Sequence, residues 1–147
     1  MKNEQLTKPF KFFAPLKVRF NETDLQGHVN FGQYYFYFDV GATEYMEAIG
    51  YDYAMMLKDD VDLLYAESHC NYKSPAQWSE ALHVHTRIAS MGRRSVRYEF
   101  DIRAEKDGRQ VATGHIVAVA AQRGTWAERE VPDGLRRAVE KYEAVNT

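Results

Sequence analysis

The sequence has little of several features that mark specialised classes of protein. Its single cysteine, Cys70, excludes an internal disulfide framework and is typical of a protein from a reducing compartment. No apolar run approaches the roughly 20 residues that a membrane-spanning helix needs. Residues 1–13 contain no apolar core of the kind found in a signal peptide. We therefore expect a cytoplasmic protein that does not associate with membranes.

The sequence also lacks an excess of charge of either sign. It has 19 Lys and Arg against 21 Asp and Glu, so it has no basic surplus of the kind that favours nucleic-acid binding. No internal repeat, low-complexity tract or Gly/Ser-rich linker divides its 147 residues. With 45% hydrophobic residues, a chain of this length can bury a core of its own. We therefore predict one domain over residues 1–147 and no nucleic-acid partner.

The first half of the chain predicts a strand followed by a buried helix. Apolar and polar residues alternate over Leu16–Glu22, which is typical of a half-buried strand. Over Phe31–Ile49, aromatic and aliphatic residues recur at helical spacing and also occupy other sides of the helix. This pattern predicts a helix that is apolar nearly all round and therefore buried. Gly50 suits the position just past its C-terminal end.

The second half predicts a short helix within residues 51–62 and then four strands joined by short turns. The predicted strands are Leu63–Lys73, Glu80–Met91, Ser95–Glu105 and Val111–Ala121, and a surface helix over Pro132–Ala144 follows them. Asp107 and Gly108 form a typical hairpin turn signal. A helix against a mostly antiparallel sheet is an α+β architecture. Because one sheet covers only part of an apolar helix, we also expect a homo-oligomer.

A polar cluster, ETDLQGHVN at residues 22–30, separates the first predicted strand from the predicted helix. A helix N-terminus offers free N–H groups and a positive dipole, which stabilise the oxyanion formed when a carbonyl is attacked. Gly27 permits close approach of the backbone. The carboxylate of Asp24 can act as a nucleophile or as a base on water. A structural interpretation stays open, in which Asp24 caps a turn and Asn30 caps the helix.

The run VRFNETDLQGHVN, followed by a Tyr-rich helix, resembles the 4-hydroxybenzoyl-CoA thioesterase-like branch of the hotdog-fold superfamily. The shared pattern is a strand that ends in an acid, Thr and Asp, then two residues, a glycine and a hydrophobic step into the helix. The order of one strand, one helix and four strands matches as well, so the resemblance covers most of the chain. It implies a hotdog fold, in which a mostly antiparallel five-stranded sheet wraps around a long central helix.

The resemblance implies an acyl-CoA thioesterase that needs no cofactor and forms a homodimer assembling into a homotetramer. Asp24 falls on the family's catalytic aspartate, and the backbone N–H near Phe31 matches the group that polarises the thioester carbonyl. The segment Gly92–Ser95 falls where family members contact the phosphates of coenzyme A, although a solvated turn is the alternative. The predicted catalytic residues are Asp24, Gly27, His28 and Phe31, and the predicted substrate-binding residues are Asn30, Tyr34, Arg93, Arg94 and Ser95, with no metal.

The sequence departs from some relatives near the helix start. They carry a histidine a few positions into the helix, where this chain has Phe31 and Gly32. Its histidine is His28, for which an acid–base role competes with structuring the loop or contacting substrate. Another branch of the superfamily uses a glutamate within the central helix, which makes Glu44 and Glu47 alternative candidates.

Other chemically versatile residues have simpler interpretations. His83 and His85 alternate along one predicted strand, which is typical of a solvated face rather than of a metal site. Cys70 has no recognisable context that would lower its pKa, so we predict a buried structural thiol. The aromatic run at residues 34–38 is expected to form core, with selection of an aryl acyl group as the alternative.

Two other functions compete with the thioesterase. A hotdog hydratase or dehydratase acting on enoyl thioesters would require a paired Asp/His motif that the sequence does not contain. A non-catalytic acyl-CoA binding protein would keep the pocket and the arginines. The sequence does not distinguish coenzyme A from acyl carrier protein, and it does not identify the acyl group.

Overall fold

The structure, a computed structural model, describes residues 9–144. Within these residues, strands and helices follow the order β1, α1, α2, β2, β3, β4, β5 and α3. The strands are β1 (Phe12–Lys17), β2 (Val61–Tyr72), β3 (Ala81–Met91), β4 (Ser95–Ala104) and β5 (Gln110–Gln122), and the helices are α1 (Gln33–Ala48), α2 (Tyr53–Lys58) and α3 (Asp133–Glu143).

The five strands form one sheet in the order β1-β3-β4-β5-β2, in which every neighbouring pair is antiparallel. Successive hairpins join β3 to β4 and β4 to β5, whereas β1 and β2 form the two edges of the sheet. Helix α1 packs on one face, mainly against β3 and β1. The predicted α+β class with a five-stranded antiparallel sheet is therefore confirmed.

Helix α1 is shorter than the predicted helix. It has 16 residues and begins at Gln33, because residues 30–33 form a separate turn that precedes it. It ends at Ala48, and Gly50 follows in the left-handed region at φ 89°, as predicted for a residue just past a helix end. Its buried residues are Tyr34, Tyr37, Phe38, Gly41, Ala42, Tyr45 and Met46.

Within one chain, α1 is buried only on the sides that face the sheet. Phe36 is 67% exposed and Asp39 is exposed, so only the sides that face the sheet are fully covered. On the covered side, the ring of Phe38 stacks on Phe100 with ring centroids 4.4 Å apart.

The first strand lies earlier in the chain than predicted. We predicted it over Leu16–Glu22, but β1 ends at Lys17, and Phe20–Glu22 form a 3-10 turn. The backbone N–H of Arg19 donates to Oε1 of Glu22 at 2.9 Å and closes this turn. A polar contact over three residues thus overrides the apolar alternation, and Phe20 is left 71% exposed.

The remaining predicted elements are confirmed, with ends that move by a few residues. Strand β2 begins two residues before the predicted Leu63, and β5 extends beyond its predicted range at both ends. The short helix predicted within residues 51–62 is α2, whose first turn is capped by Asp52 accepting from the N–H of Met55 at 3.1 Å. Within residues 9–144, no helix has the length and apolar character needed to cross a membrane.

Candidate active site

The polar cluster folds into a compact loop that joins β1 to α1. Thr23 and Val29 form an isolated antiparallel bridge, and the N–H of Asp24 donates to the carbonyl of His28 at 3.0 Å. Gly27 lies in the left-handed region at φ 86°, which glycine adopts without the strain that a side chain would add. The Val29 N–H donates to the carbonyl of Ala76 at 2.8 Å, which attaches the loop to the β2–β3 connection.

The turn before α1 is fixed by hydrogen bonds on both sides of Phe31. Asn30 Oδ1 accepts from the N–H groups of Gly32 at 3.1 Å and Gln33 at 3.2 Å, so Asn30 caps the turn that leads into α1. The N-cap position of the helix itself is Gly32, which has no side-chain cap, so the interpretation of Asn30 as the helix N-cap is wrong by two residues. The Tyr72 hydroxyl donates to the carbonyl of Phe31 at 2.9 Å. None of the hydrogen bonds found within residues 9–144 uses the N–H of Phe31. That N–H is therefore available to an oxygen from a ligand.

The loop and the helix start line a cleft of about 410 Å³. The structure brings four predicted site residues together on its wall: Asp24, His28, Phe31 and Tyr34. The opposite wall comes from the end of β2 and the residues that follow, Tyr72, Lys73, Ser74 and Pro75. Sequence reasoning missed this second wall, because only the pairing of the loop with residues 76 and 77 brings it near Asp24.

The carboxylate of Asp24 has one oxygen committed to the loop. Its Oδ1 accepts from the N–H of Gln26 at 2.9 Å, so the turn-capping interpretation of Asp24 is confirmed. Its Oδ2 takes part in no hydrogen bond among the described residues, and the side chain is exposed. Capping and chemistry are therefore compatible in this residue, because each can use a different oxygen.

The cleft also contains two tyrosine hydroxyls, those of Tyr34 and Tyr72. Burial is the main reason that the pKa of Tyr34 is raised, and it also raises the pKa of Tyr72 to about 12. Both hydroxyls therefore keep their protons at neutral pH. Nδ1 of His28 lies 3.4 Å from the carbonyl of Val29, a long contact that orients the ring.

The predicted arginines lie at the other end of the sheet. Arg93 and Arg94 belong to the turn between β3 and β4, whereas the cleft lies near the start of β3. Because a strand rises about 3.3 Å per residue, the 11 residues of β3 separate them by roughly 30 Å. Within one chain, the structure therefore does not bring Arg93, Arg94 or Ser95 to the cleft that contains Asp24.

Both arginines are exposed and paired with acids from the segment before α3. Arg93 Nη2 lies 2.8 Å from Glu130 Oε2, and Arg94 Nη1 lies 3.5 Å from Glu128 Oε1. The hydrogen bond from Arg93 holds the pKa of Glu130 below its ordinary value. Exposed ion pairs of this kind contribute little stability, so a more strongly charged ligand can replace them.

A second cavity, of about 420 Å³, lies between α1, α2 and the start of β2. Its walls are mostly apolar, and they include Met46, Met56 and Leu63. Its polar side chains include those of Thr43, Glu47 and Tyr53, and on one side the Tyr65 hydroxyl donates to Oδ1 of Asp39 at 2.6 Å. This cavity is at the same end of the sheet as Arg93, since Leu64 and Ser95 both pair with Val119.

Of the other chemically versatile residues, the two helix glutamates lie outside the first cleft. Glu47 lines the second cavity, and Glu44 lies on another side of α1. Nε2 of His83 lies 3.3 Å from Oε1 of Glu105. Among residues 9–144, no group of three or more His, Cys, Asp or Glu side chains is placed to hold a metal ion. Burial raises the pKa of Cys70 to about 11, which opposes a nucleophilic role.

Comparison with known proteins gives one family match. The sequence model of the family described as "Thioesterase-like superfamily" matches residues 18–139. A curated protein of Aquifex aeolicus (strain VF5) is 28% identical over 82 residues, which are 56% of this chain and 64% of that protein. The chain therefore spans less than two thirds of the length of that relative.

Solved structures share the fold. A protein from Pseudomonas aeruginosa strain PAO1 is 29% identical with a TM-score of 0.80, and the match covers 90% of this chain and 91% of that one. The DHNA-CoA thioesterase from Staphylococcus aureus is 24% identical with a TM-score of 0.82, and the match covers 90% of each chain.

Proposed function

The chain belongs to the thioesterase-like superfamily, and from that membership we propose that it is a thioester hydrolase that converts an acyl-CoA to a free acid and coenzyme A. The observation that carries the proposal is the pairing of two groups in one cleft. One is the Asp24 carboxylate with a free oxygen, and the other is the Phe31 N–H, which has no partner within residues 9–144.

The proposed chemistry needs a nucleophile and a site for negative charge. The N–H of Phe31, at the positive end of α1, donates to the thioester oxygen as it becomes an oxyanion. Asp24 either takes a proton from a water that attacks the carbonyl carbon, which gives the free acid directly, or attacks that carbon itself and forms a mixed anhydride that water then hydrolyses to the free acid. The C–S bond then breaks and sulfur leaves as a thiolate, whose conjugate thiol has a pKa near 8.5. A leaving group this stable departs without a strong general acid, so His28 is not required as a proton donor.

The proposed active site draws residues from two copies of the chain. Strand β2 forms a 12-residue edge of the sheet, whereas β1, at the other edge, has 6 residues and contains Pro15. Long unpaired edges favour pairing with another strand, and proline disfavours it. If two β2 edges pair antiparallel, the end of β2 in one copy lies next to the start of β2 in the other. The end of β2 is the part that lies beside the Asp24 cleft.

Such a dimer would complete the site. The start of β2 is the end that carries the 420 Å³ cavity and the turn with Arg93 and Arg94. Each Asp24 cleft would therefore meet an apolar cavity for the acyl group and two guanidinium groups for the phosphates of coenzyme A, all from the second copy. Guanidinium groups suit phosphate through charge and paired donors. Assembly of two dimers into a tetramer stays part of the proposal.

The alternative candidate is a non-catalytic acyl-CoA binding protein, which would use the same two cavities. The unpartnered Phe31 N–H and the free carboxylate oxygen of Asp24 in one cleft favour the hydrolase, because a binding site for a neutral carbonyl gains nothing from a carboxylate. A hydratase or dehydratase receives no support from the cleft. Among residues 9–144, His28 is the one histidine on its wall, and the Nδ1 of His28 contacts the adjacent carbonyl.

The test is thiol release from acetyl-, octanoyl-, isobutyryl- and benzoyl-CoA by the wild type and by Asp24→Asn. We expect the wild type to turn over at least one of them. Because a positioned base contributes about 10²–10⁴-fold, Asp24→Asn should lower kcat by a factor in that range. Asparagine keeps the oxygen that accepts from Gln26, so the loop should stay folded.

Asp133→Asn is the matched control, because Asp133 is exposed in the first turn of α3 and lies outside both cavities. Its kcat should equal that of the wild type. Full activity of Asp24→Asn would exclude the proposed mechanism. Tight binding of an acyl-CoA without any thiol release would favour the binding protein instead.

A further inference from the structure

We infer that Tyr72 is a positioning residue for the reaction and that its hydroxyl holds the Phe31 peptide so that the adjacent N–H faces the substrate carbonyl. The inference rests on the proposed thioester hydrolysis and names a residue that the family resemblance does not supply. Tyr72 is the last residue of β2, and it lies 41 positions from Phe31 in the sequence.

The two peptide planes around Phe31 are fixed by different parts of the chain. The plane before Phe31 is held because the Asn30 carbonyl accepts from the N–H of Gln33 at 3.1 Å. The plane after it is held at both polar atoms: Asn30 Oδ1 accepts from the Gly32 N–H, and the Tyr72 hydroxyl donates to the Phe31 carbonyl. Among these contacts, only the one from Tyr72 comes from the sheet. Tyr72 therefore connects the turn that presents the N–H to the rigid part of the fold.

The ring of Tyr72 is itself oriented by packing. It meets Tyr34 edge to face with ring centroids 5.4 Å apart and an interplanar angle of 75°. Tyr34 is 3% exposed and packs against Tyr37 in the same manner at 5.8 Å. The exposed side of Tyr72 faces the cleft, which it lines together with Asp24 and Phe31. Packing against the buried rings of Tyr34 and Tyr37 therefore fixes the direction of the Tyr72 hydroxyl.

The hydroxyl acts as a donor under all conditions of interest. Burial raises the pKa of Tyr72 to about 12, so the proton that reaches the Phe31 carbonyl is present at neutral pH. Tyr72 makes no contact with the reacting carbonyl in this account. Its effect is geometric, because an oxyanion donor stabilises the transition state only while it points to where the negative charge develops.

The experiment compares wild type, Tyr72→Phe and Tyr51→Phe with the best substrate of the acyl-CoA panel. Tyr72→Phe keeps the ring that packs on Tyr34 and removes the hydroxyl, with its hydrogen bond to Phe31 and its contact with Cys70. We expect kcat to fall about tenfold, since small losses of alignment cost at least that much, with KM within twofold of the wild type. Tyr51→Phe is the matched control: it removes a hydrogen bond to Asp59 far from the cleft, and its kcat should be unchanged.

A spectroscopic measurement distinguishes a role in orienting the Phe31 N–H from a general loss of stability. In the Asp24→Asn background, the substrate isotope-labelled at its carbonyl should show a carbonyl stretch at lower frequency when bound than when free in solution. Adding Tyr72→Phe should move the stretch back towards the free value. A purely structural role for Tyr72 would lower the denaturation midpoint and leave this frequency as it was.

The possible failures are distinguishable. Absence of wild-type turnover on every acyl-CoA, and on acyl-carrier-protein thioesters as well, would overturn the proposed function and this inference with it. Wild-type turnover with an unchanged kcat and an unchanged carbonyl frequency in Tyr72→Phe would overturn the inference alone.

Discussion

At the scale of single residues, Gly41 shows how the fold requires a missing side chain. An ideal Cβ built on Gly41 would overlap Oγ1 of Thr86 and lie 2.7 Å from Cγ1 of Val84, both on β3. The absence of a Cβ therefore lets α1 lie close against the sheet. Glycine in a helix interior is about 1 kcal/mol less favourable than alanine. The close packing of α1 on β3 compensates for this cost.

Gly41→Ala should therefore destabilise the protein although it improves helix propensity. Overpacking of this kind costs about 1–3 kcal/mol, and we expect the free energy of unfolding in guanidinium to fall by that amount. Gly134→Ala in α3 is the matched control: its added Cβ would lie 3.6 Å from Tyr51, an ordinary contact, so stability should rise by about 0.5–1 kcal/mol. An equal gain in both variants would show that α1 can move away from β3 freely.

At the scale of elements, α1 combines burial with several hydroxyl groups. Burial and then a hydrogen bond to a carboxylate raise the pKa of two of its tyrosines, Tyr37 through Glu22 and Tyr45 through Glu143. The Tyr45 hydroxyl donates to Oε2 of Glu143 at 2.5 Å and thereby joins α1 to α3. Both rings are buried, so each hydroxyl is held as a donor inside the folded protein.

These tyrosines predict a loss of stability at alkaline pH. An unfolded tyrosine loses its proton near pH 10, whereas folded Tyr45 keeps it because its pKa is raised. The folded state then binds more protons than the unfolded state, so the free energy of unfolding is unaffected below pH 10 and falls as pH rises beyond it. Each such group contributes a slope of up to about 1.4 kcal/mol per pH unit.

Denaturation midpoints measured from pH 8 to 11 should show this decline, and Tyr45→Phe should have a shallower slope above pH 10 than the wild type. Tyr53→Phe removes the hydroxyl from a ring that is 61% exposed, and it should keep the wild-type slope. A slope that does not change in Tyr45→Phe would mean that this hydroxyl does not remain protonated in the folded state.

The elements themselves were largely predictable, and the exceptions have local causes. Strands β3 and β4 were found from alternation because each faces the helix on one side and solvent on the other. The first strand was misplaced because Phe20 continues the apolar alternation, while the bond between Arg19 and Glu22 ends the strand. That bond depends on the fold of the turn, which apolar periodicity does not register.

The candidate site was predictable on one wall only. The cluster at residues 22–30 is contiguous, so its glycine, acid and cap could be recognised together in the sequence. Tyr72 and Lys73 reach the same cleft through contacts between distant segments, such as the pairing of His28 with Gln77 and the bond from Val29 to Ala76. Propensities and spacings act over a few residues, and they carry no signal for such a contact.

At the scale of the whole molecule, the residues assigned to substrate binding are divided between the two ends of the sheet. The Asp24 cleft lies near the start of β3, and Arg93 and Arg94 follow its other end. A family resemblance transfers the roles of residues but does not state which copy supplies them. The separation along β3 is roughly 30 Å, which no side chain spans. The aspartate and the arginines of one copy therefore cannot act on the same thioester group.

Mixing two inactive variants tests whether the site is shared between copies. Asp24→Asn keeps both arginines, and the double variant Arg93→Ala with Arg94→Ala keeps the aspartate. In a two-fold dimer of one chain of each kind, one of the two sites has an intact aspartate and intact arginines, so random exchange should restore about a quarter of wild-type activity. The measurement is thiol release after co-refolding equal amounts, at a substrate concentration where the double variant alone is inactive.

The control mixture replaces the double variant with a chain that carries all three substitutions. It contains no intact pair of aspartate and arginines in any arrangement, so its activity should stay at the level of Asp24→Asn alone. If the first mixture also gains nothing while its sedimentation shows mixed dimers, each site would have to use the aspartate and the arginines of one chain. The roughly 30 Å between them along β3 would then exclude a shared role, and Arg93 and Arg94 would be a solvated turn paired with Glu130 and Glu128.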